Sequence, residues 1–348
     1  MAYRIASLAD LARHGFDTVI DVRSPAEYAE DHLPGAINLP ALCDAERARV
    51  GTIYKRESPF TARKLGAALV ARNVAAHLEG PLAERPGGWR PLVYCWRGGQ
   101  RSGSVATILR GIGWRVETLE GGYRSFRRAV VQALYEAEFP ARVVLLDGNT
   151  GTAKTDVLKR LREKGAQVID LEGLARHRGS LLGRVAGGQP TQKAFETALA
   201  MEIAALDPAR PVVVEAESSK VGELSVPPAV WKAMTAAERI EIAAPLAARA
   251  AYLSRAYGDL TADREALIET LGTLARLQGA ERVAGWQAMA RGGLFEDLAA
   301  ELCGLHYDPR YAKSRARWAR RPLARIEAER LDESGIDRLA EVVLNAAG

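Results

Sequence analysis

A cysteine followed within six positions by two glycines and two arginines is a place where sulfur can be made reactive. The segment is Tyr94-Cys95-Trp96-Arg97-Gly98-Gly99-Gln100-Arg101-Ser102. The thiolate is the nucleophilic form of cysteine, so whatever favours negative charge there activates it. Arg97 and Arg101 are expected to do so, together with backbone N–H groups at the start of a helix. Gly98 and Gly99 let the chain curl around an anion without a Cβ in the way. A second segment, Asp147-Gly148-Asn149-Thr150-Gly151-Thr152-Ala153-Lys154-Thr155, has the spacing of a phosphate-binding P-loop. Its amides would cradle a diphosphate, Lys154 would reach the outer phosphate, and Thr155 would be placed to ligate Mg²⁺. Ala153 stands where such loops usually carry glycine.

Both segments need a strand before them and a helix after them, and the surrounding pattern supplies these. Strand-like runs occur at Thr18-Val19-Ile20-Asp21, Ala36-Ile37-Asn38-Leu39, Leu92-Val93-Tyr94 and Val116-Glu117-Thr118-Leu119. They alternate with helical stretches over 63–78, 103–110 and 123–137, and Pro140 marks a break. The pattern resumes with Val143-Val144-Leu145-Leu146, a helix over 155–164, and strands at 167–170, 211–215 and 240–242. From Pro245 the chain reads as mostly helical. Alternating strands and helices predict an α/β fold with parallel sheets. The expected division is 1–137, 138–255 and a helical region 256–348 packed with the second domain. Glu215, at a strand end, and Glu217 are candidates to support the phosphate site. Arg176, His177 and Arg178 form a basic cluster after the second strand of that domain.

The 348 residues are 48% hydrophobic and 26% charged, ordinary values for a globular protein. No apolar run approaches the roughly 20 residues that span a bilayer, and Met1-Ala2-Tyr3-Arg4-Ile5 lacks a signal-peptide core, so the chain is expected to be cytoplasmic. Three scattered cysteines make neither a disulfide framework nor a zinc cluster. Cys43 and Cys303 lack the surroundings of Cys95 and read as buried and inert.

The cysteine loop resembles that of rhodanese-type sulfurtransferases. Ile20-Asp21-Val22-Arg23-Ser24-Pro25-Ala26-Glu27-Tyr28, His32-Leu33-Pro34-Gly35-Ala36-Ile37-Asn38 and Leu119-Glu120-Gly121-Gly122-Tyr123 resemble the same family's other motifs, in order. With the P-loop following, the whole resembles the bacterial tRNA 2-selenouridine synthases. Val50–Lys55, Ser58-Pro59-Phe60 with Ala62-Arg63-Lys64, Asp170–Ser180 and Gln189–Glu196 carry the resemblance further, over residues 5–250 or so. The resemblance implies replacement of sulfur by selenium in wobble 2-thiouridine (U34) of tRNA, with selenophosphate as donor. It also implies geranylation of that sulfur from geranyl diphosphate. Alkylation makes the sulfur a better leaving group, which joins the two steps. On this reading the P-loop binds the diphosphate of geranyl diphosphate, and Cys95, with Arg97 and Arg101, handles selenium. No tightly bound cofactor is expected, and Mg²⁺ is a candidate ion beside Thr155.

A tRNA partner fits the segment 310–330, where eight basic residues stand against Glu327 and Glu329 for a net +6. Arg315, Arg317, Trp318, Arg320 and Arg321 are its candidates for phosphate contact and base stacking. Three rival readings remain open. Cys95 and Arg101 also have the Cys-x5-Arg spacing of cysteine phosphatases, although Tyr94 stands where those usually carry histidine and no general-acid aspartate is evident. A rhodanese-type sulfurtransferase regulated by the P-loop domain is the second rival. A nucleotide-responsive RNA-binding module with a vestigial Cys95 is the third.

Overall fold

A computed structural model describes residues 2–180, 182–183, 185–315 and 322–348, apart from the side chains of Asp259, Ser314 and Arg315. Its strands form two five-stranded parallel sheets and one short antiparallel pair. The chain divides into two compact units.

The first unit comprises Met1–Phe139, Pro190–Ala205 and Pro227–Ala229. Its strands are β1 (Ala2–Tyr3), β2 (Thr18–Asp21), β3 (Ile37–Asn38), β4 (Pro91–Tyr94) and β5 (Glu117–Leu119). They lie in the order β1-β5-β4-β2-β3. The central strand β4 is buried along its whole length, as its unbroken apolar run requires. Val93 joins Ile20, Val22, Val105, Ala106 and Leu109 in the core. The helix Gln192–Ala204 belongs to this unit although it follows the P-loop in sequence. Polar groups hold it there: Thr197 donates to Asp31 at 2.9 Å, Lys193 pairs with Glu30 at 2.6 Å, and Glu196 binds Arg127 and the Tyr135 hydroxyl.

The second unit contains Pro140–Gln189, Leu206–Val226 and Val230–Gly348. Its strands are β6 (Val143–Gly148), β7 (Gln167–Ile169), β8 (Val212–Glu215), the pair β9 (Lys220–Val221) and β10 (Leu224–Ser225), β11 (Glu238–Ala243) and β12 (Ala324–Glu327). The main sheet runs β12-β11-β6-β8-β7, which puts the P-loop strand β6 at its centre. The region after Pro245 is mostly helical, as expected, with one strand the sequence did not reveal. The chain returns to the sheet at β12, which pairs Ile326 with Ile242, and ends in the helix Glu333–Ala347. That helix buries Leu339, Ala340 and Val343 against Val157, Leu158 and Leu161 of the helix that follows the P-loop. In the chain between β11 and β12, helices around Leu271, Trp286 and Leu302 form a separate apolar core. Among the described residues, no helix is long and apolar enough to cross a membrane.

Candidate functional site

Cys95 follows β4 directly and sits buried at the floor of a loop closed by the helix Gln100–Gly111. The Gly99 N–H donates to its sulfur at 3.3 Å, and the Ser102 hydroxyl lies 3.2 Å from it. Burial alone raises the thiol pKa. The Ser102 hydroxyl and the backbone N–H groups of Ser102, Gly99 and Arg97 outweigh it, so the thiol is held below its usual value.

The arginines act differently from expectation. Arg101 turns away to Glu27, at 2.7 Å from Nη1 to Oε2, and Arg47 reaches the same carboxylate at 3.1 Å. Arg97, Gly98, Gly99 and Gln100 are exposed at the loop's rim. The loop amides and Ser102, rather than the guanidinium groups, are the chief acidifying influence on Cys95.

The turn after β5 shapes this loop. The Tyr123 N–H donates to the Cys95 carbonyl at 2.8 Å, and the Arg124 N–H to the Trp96 carbonyl at 3.0 Å. Both carbonyls are thereby hydrogen-bonded to the turn. The approach is close enough that a Cβ on Gly122 would lie 2.2 Å from the Cys95 carbonyl oxygen. Trp96 packs on the Tyr123 ring, with centroids 5.2 Å apart. Behind the loop, the buried Arg23 guanidinium makes a bidentate pair with Asp21 and donates to the Asp31 carbonyl at 2.6 Å. Its face stacks on Tyr123 at 3.9 Å. The Tyr94 hydroxyl donates to Asp21 at 2.6 Å, which is what a tyrosine before the cysteine does here.

Cys43 is not buried as expected. It is exposed and caps the helix Asp44–Arg56, its N–H donating to Glu46 at 2.9 Å. Cys303 is buried, and burial pushes its thiol up to about 11.

In the second unit, β6 runs into a loop that opens the helix Lys154–Glu163. Ala153 takes the left-handed conformation, φ 59°, that a glycine would adopt freely. The departure from glycine therefore leaves the loop's path intact, at a conformational cost of about 1 kcal/mol. The Ala153 methyl is buried in the core, which offsets part of that cost. Gly148 admits Thr152, whose hydroxyl would lie 2.4 Å from a Cβ there, and Thr152 donates to the Asn149 carbonyl at 2.8 Å. Lys154 donates to the Gly148 carbonyl at 2.8 Å and lies 5.8 Å from the Tyr311 ring centroid. Burial disfavours its charge, but Tyr311, Glu172, Glu217 and Asp147 together raise its pKa. The loop is anchored by Arg249, which donates to the Thr150 carbonyl at 3.1 Å and makes a bidentate pair with Asp308. Asp308 also accepts from Asn149 at 2.9 Å.

Glu215 and Glu217 are brought together with Glu172, which the sequence reading did not single out. One carboxylate oxygen from each lies within 4.8 Å of the others. Burial and the neighbouring charges push Glu215 well above the usual carboxylate range, and Glu217 up to about 8. Glu172 accepts from the Thr155 hydroxyl at 3.3 Å. Among the described residues, Glu215 Oε2 is buried with no hydrogen-bond partner.

The Arg176–Arg178 cluster does not form one basic face. Arg176 is exposed in a left-handed turn, and His177 is buried with its N–H on the Glu172 carbonyl. Arg178 lies over the Tyr257 ring at 4.6 Å. Of the tRNA-binding candidates, Arg317, Trp318, Arg320, Arg321 and the side chain of Arg315 lie outside the described residues. Tyr311 of that segment is half-buried beside Lys154, and Arg325 and Arg330 pair with Glu327 and Asp332.

Comparison with known proteins accords with both units. Residues 5–129 match the rhodanese-like domain, and residues 141–278 match the tRNA 2-selenouridine synthase AAA domain. A tRNA 2-selenouridine synthase from Pseudomonas syringae pv. syringae (strain B728a) is 34% identical over 89% of this chain and 90% of its own length. One from Aeromonas salmonicida (strain A449) is 37% identical over 72% of this chain and 67% of its own. Among solved structures, the N-terminal domain of a Clostridium difficile 630 protein described as ATP/GTP binding is 36% identical. It covers 38% of this chain and 99% of that domain, with a TM-score of 0.32. With a relative above 30% identity aligned along nearly its whole length, the chain belongs to the tRNA 2-selenouridine synthase family.

Proposed function

We propose that this chain is a tRNA-modifying transferase that converts wobble 2-thiouridine to 2-selenouridine. The family of its relatives supports the overall reaction. The observation that carries the chemical reading is Cys95, a buried thiol acidified by three backbone amides and Ser102 at the floor of an anion-shaped loop. Such a loop suits an anion that carries a group-VI atom on phosphorus, and selenophosphate is that donor.

The reaction runs in two steps. The tRNA sulfur first attacks C1 of geranyl diphosphate. A C–S bond forms, the C–O bond breaks, pyrophosphate departs, and the base loses its N3 proton. The second step replaces the alkylated sulfur by selenium. Selenium from selenophosphate bonds to C2, geranyl thiol leaves, and water takes the phosphorus as phosphate. Lys154 and the P-loop amides stabilise the departing pyrophosphate, because preorganised donors need no reorganisation as charge develops.

Thr155, Glu172, Glu215 and Glu217 fit a Mg²⁺ ion. Oxygen donors are what a hard cation selects, and the buried Glu215 oxygen lacks any other partner among the described residues. Bound there, the ion would supply further positive charge beside the diphosphate.

Nucleoside mass spectrometry tests the reading. Wild-type enzyme with 2-thiouridine tRNA, geranyl diphosphate and selenophosphate is expected to yield 2-selenouridine, and Cys95→Ser to lower the yield at least 100-fold. An unchanged nucleoside with wild-type enzyme would remove it in favour of small-molecule sulfur transfer.

A further inference from the structure

An apolar cavity lies within the second unit, beside the phosphate loop. Its wall includes Thr150 of the P-loop, and the rest comes mainly from the helices after Pro245. Leu253, Leu260, Leu267, Phe295, Leu298 and Leu302 dominate it. No charged or amide side chain lines it among the described residues.

One further contact joins this cavity to the phosphate loop. The Leu253 side chain packs so closely on Gly151 that a Cβ there would meet it at 3.0 Å. Tyr257, also on the wall, carries Arg178 over its ring at 4.6 Å and feels the charge of Glu172. A cation, Arg178, therefore stands beside the cavity's wall. A phosphate-binding loop with one residue on the wall of an uncharged, leucine-lined chamber suits an amphiphile, with its head in the amides and its tail among the leucines. A purine would find no amide or charged group there to read its edge.

We propose that this cavity binds the hydrocarbon tail of the alkyl diphosphate whose head sits in the P-loop, and that its walls set the chain length accepted. The inference rests on the geranyl diphosphate reading above and adds where the tail goes. Burying the tail removes apolar surface from water, so the tail gives the ligand an advantage over its head group alone.

Calorimetric binding to the full chain tests this, with geranyl diphosphate, farnesyl diphosphate, ATP and inorganic pyrophosphate as probes. Wild-type protein should bind geranyl diphosphate at least tenfold more tightly than pyrophosphate and more tightly than ATP. Ala299→Phe, which adds bulk on the wall, should remove that advantage at least tenfold, with pyrophosphate binding held within twofold. Phe295→Ala, which enlarges the cavity, should shift preference from geranyl toward farnesyl diphosphate at least fivefold, and it decides the matter if Ala299→Phe does not fold. A folded Ala299→Phe with wild-type affinity for geranyl diphosphate, or an unshifted farnesyl preference in Phe295→Ala, would place the tail elsewhere and leave the geranyl diphosphate reading standing. Wild-type protein that binds geranyl diphosphate no more tightly than pyrophosphate, or less tightly than ATP, would overturn both.

Discussion

At Cys95 the outcome depends on which small groups reach the sulfur. Burial opposes ionisation, and three amides with one hydroxyl reverse the balance. Ser102→Ala removes the hydroxyl, the largest single influence that favours the thiolate. The pKa should therefore rise, and the thiolate fraction at neutral pH should fall. The pH profile of iodoacetamide alkylation at Cys95 should move to higher pH than in the wild type, and an unmoved profile would assign the acidity to the amides alone. Ser102 was visible in the loop, but its role was not. It depends on the first turn of the helix Gln100–Gly111 bringing residue 102 back over residue 95. Arg101 shows the converse. Its charge was legible, yet a partner 74 positions away, Glu27, determines where it points. Glu172 was missed for a similar reason. It became a site residue only when the sheet order placed β8, and with it Glu215, beside β7.

At the scale of elements, the motif after β2 works as scaffolding for the cysteine loop. Asp21, Arg23, Tyr94, Asp31 and Tyr123 form one buried network behind it. Asp21→Ala leaves the Arg23 guanidinium buried without its counter-ion, and removing one partner of such a pair costs about 3–5 kcal/mol. Chemical denaturation should show a loss of that size. A loss below about 1 kcal/mol would mean that water replaces the carboxylate. The central strands were legible because buried parallel strands read as unbroken apolar runs. Two of the four edge strands, β1 and β12, were not. β1 has two residues, and β12 reads intermediate-exposed-intermediate-exposed within a strongly basic stretch. Charge there masked a strand whose place is set by pairing with β11, not by its own composition.

Across the whole molecule, each compact unit carries one candidate anion site at the C-terminal end of a central parallel strand. Ligands bind at that end of open α/β sheets because loops and helix N-termini converge there. The two chemistries are thus assigned to two separate cradles, one for selenium and one for the alkyl diphosphate. That division is the central claim, and it predicts that each step can be lost without the other. The measurement is nucleoside mass spectrometry of 2-thiouridine tRNA incubated with geranyl diphosphate and then selenophosphate, using Cys95→Ser and Lys154→Ala in parallel. The division predicts that Cys95→Ser accumulates the S-geranyl nucleoside and stops there, while Lys154→Ala forms little of it. It also predicts that Lys154→Ala still converts tRNA supplied already geranylated. Loss of geranylation in Cys95→Ser, or loss of selenation by Lys154→Ala on pre-geranylated tRNA, would contradict it.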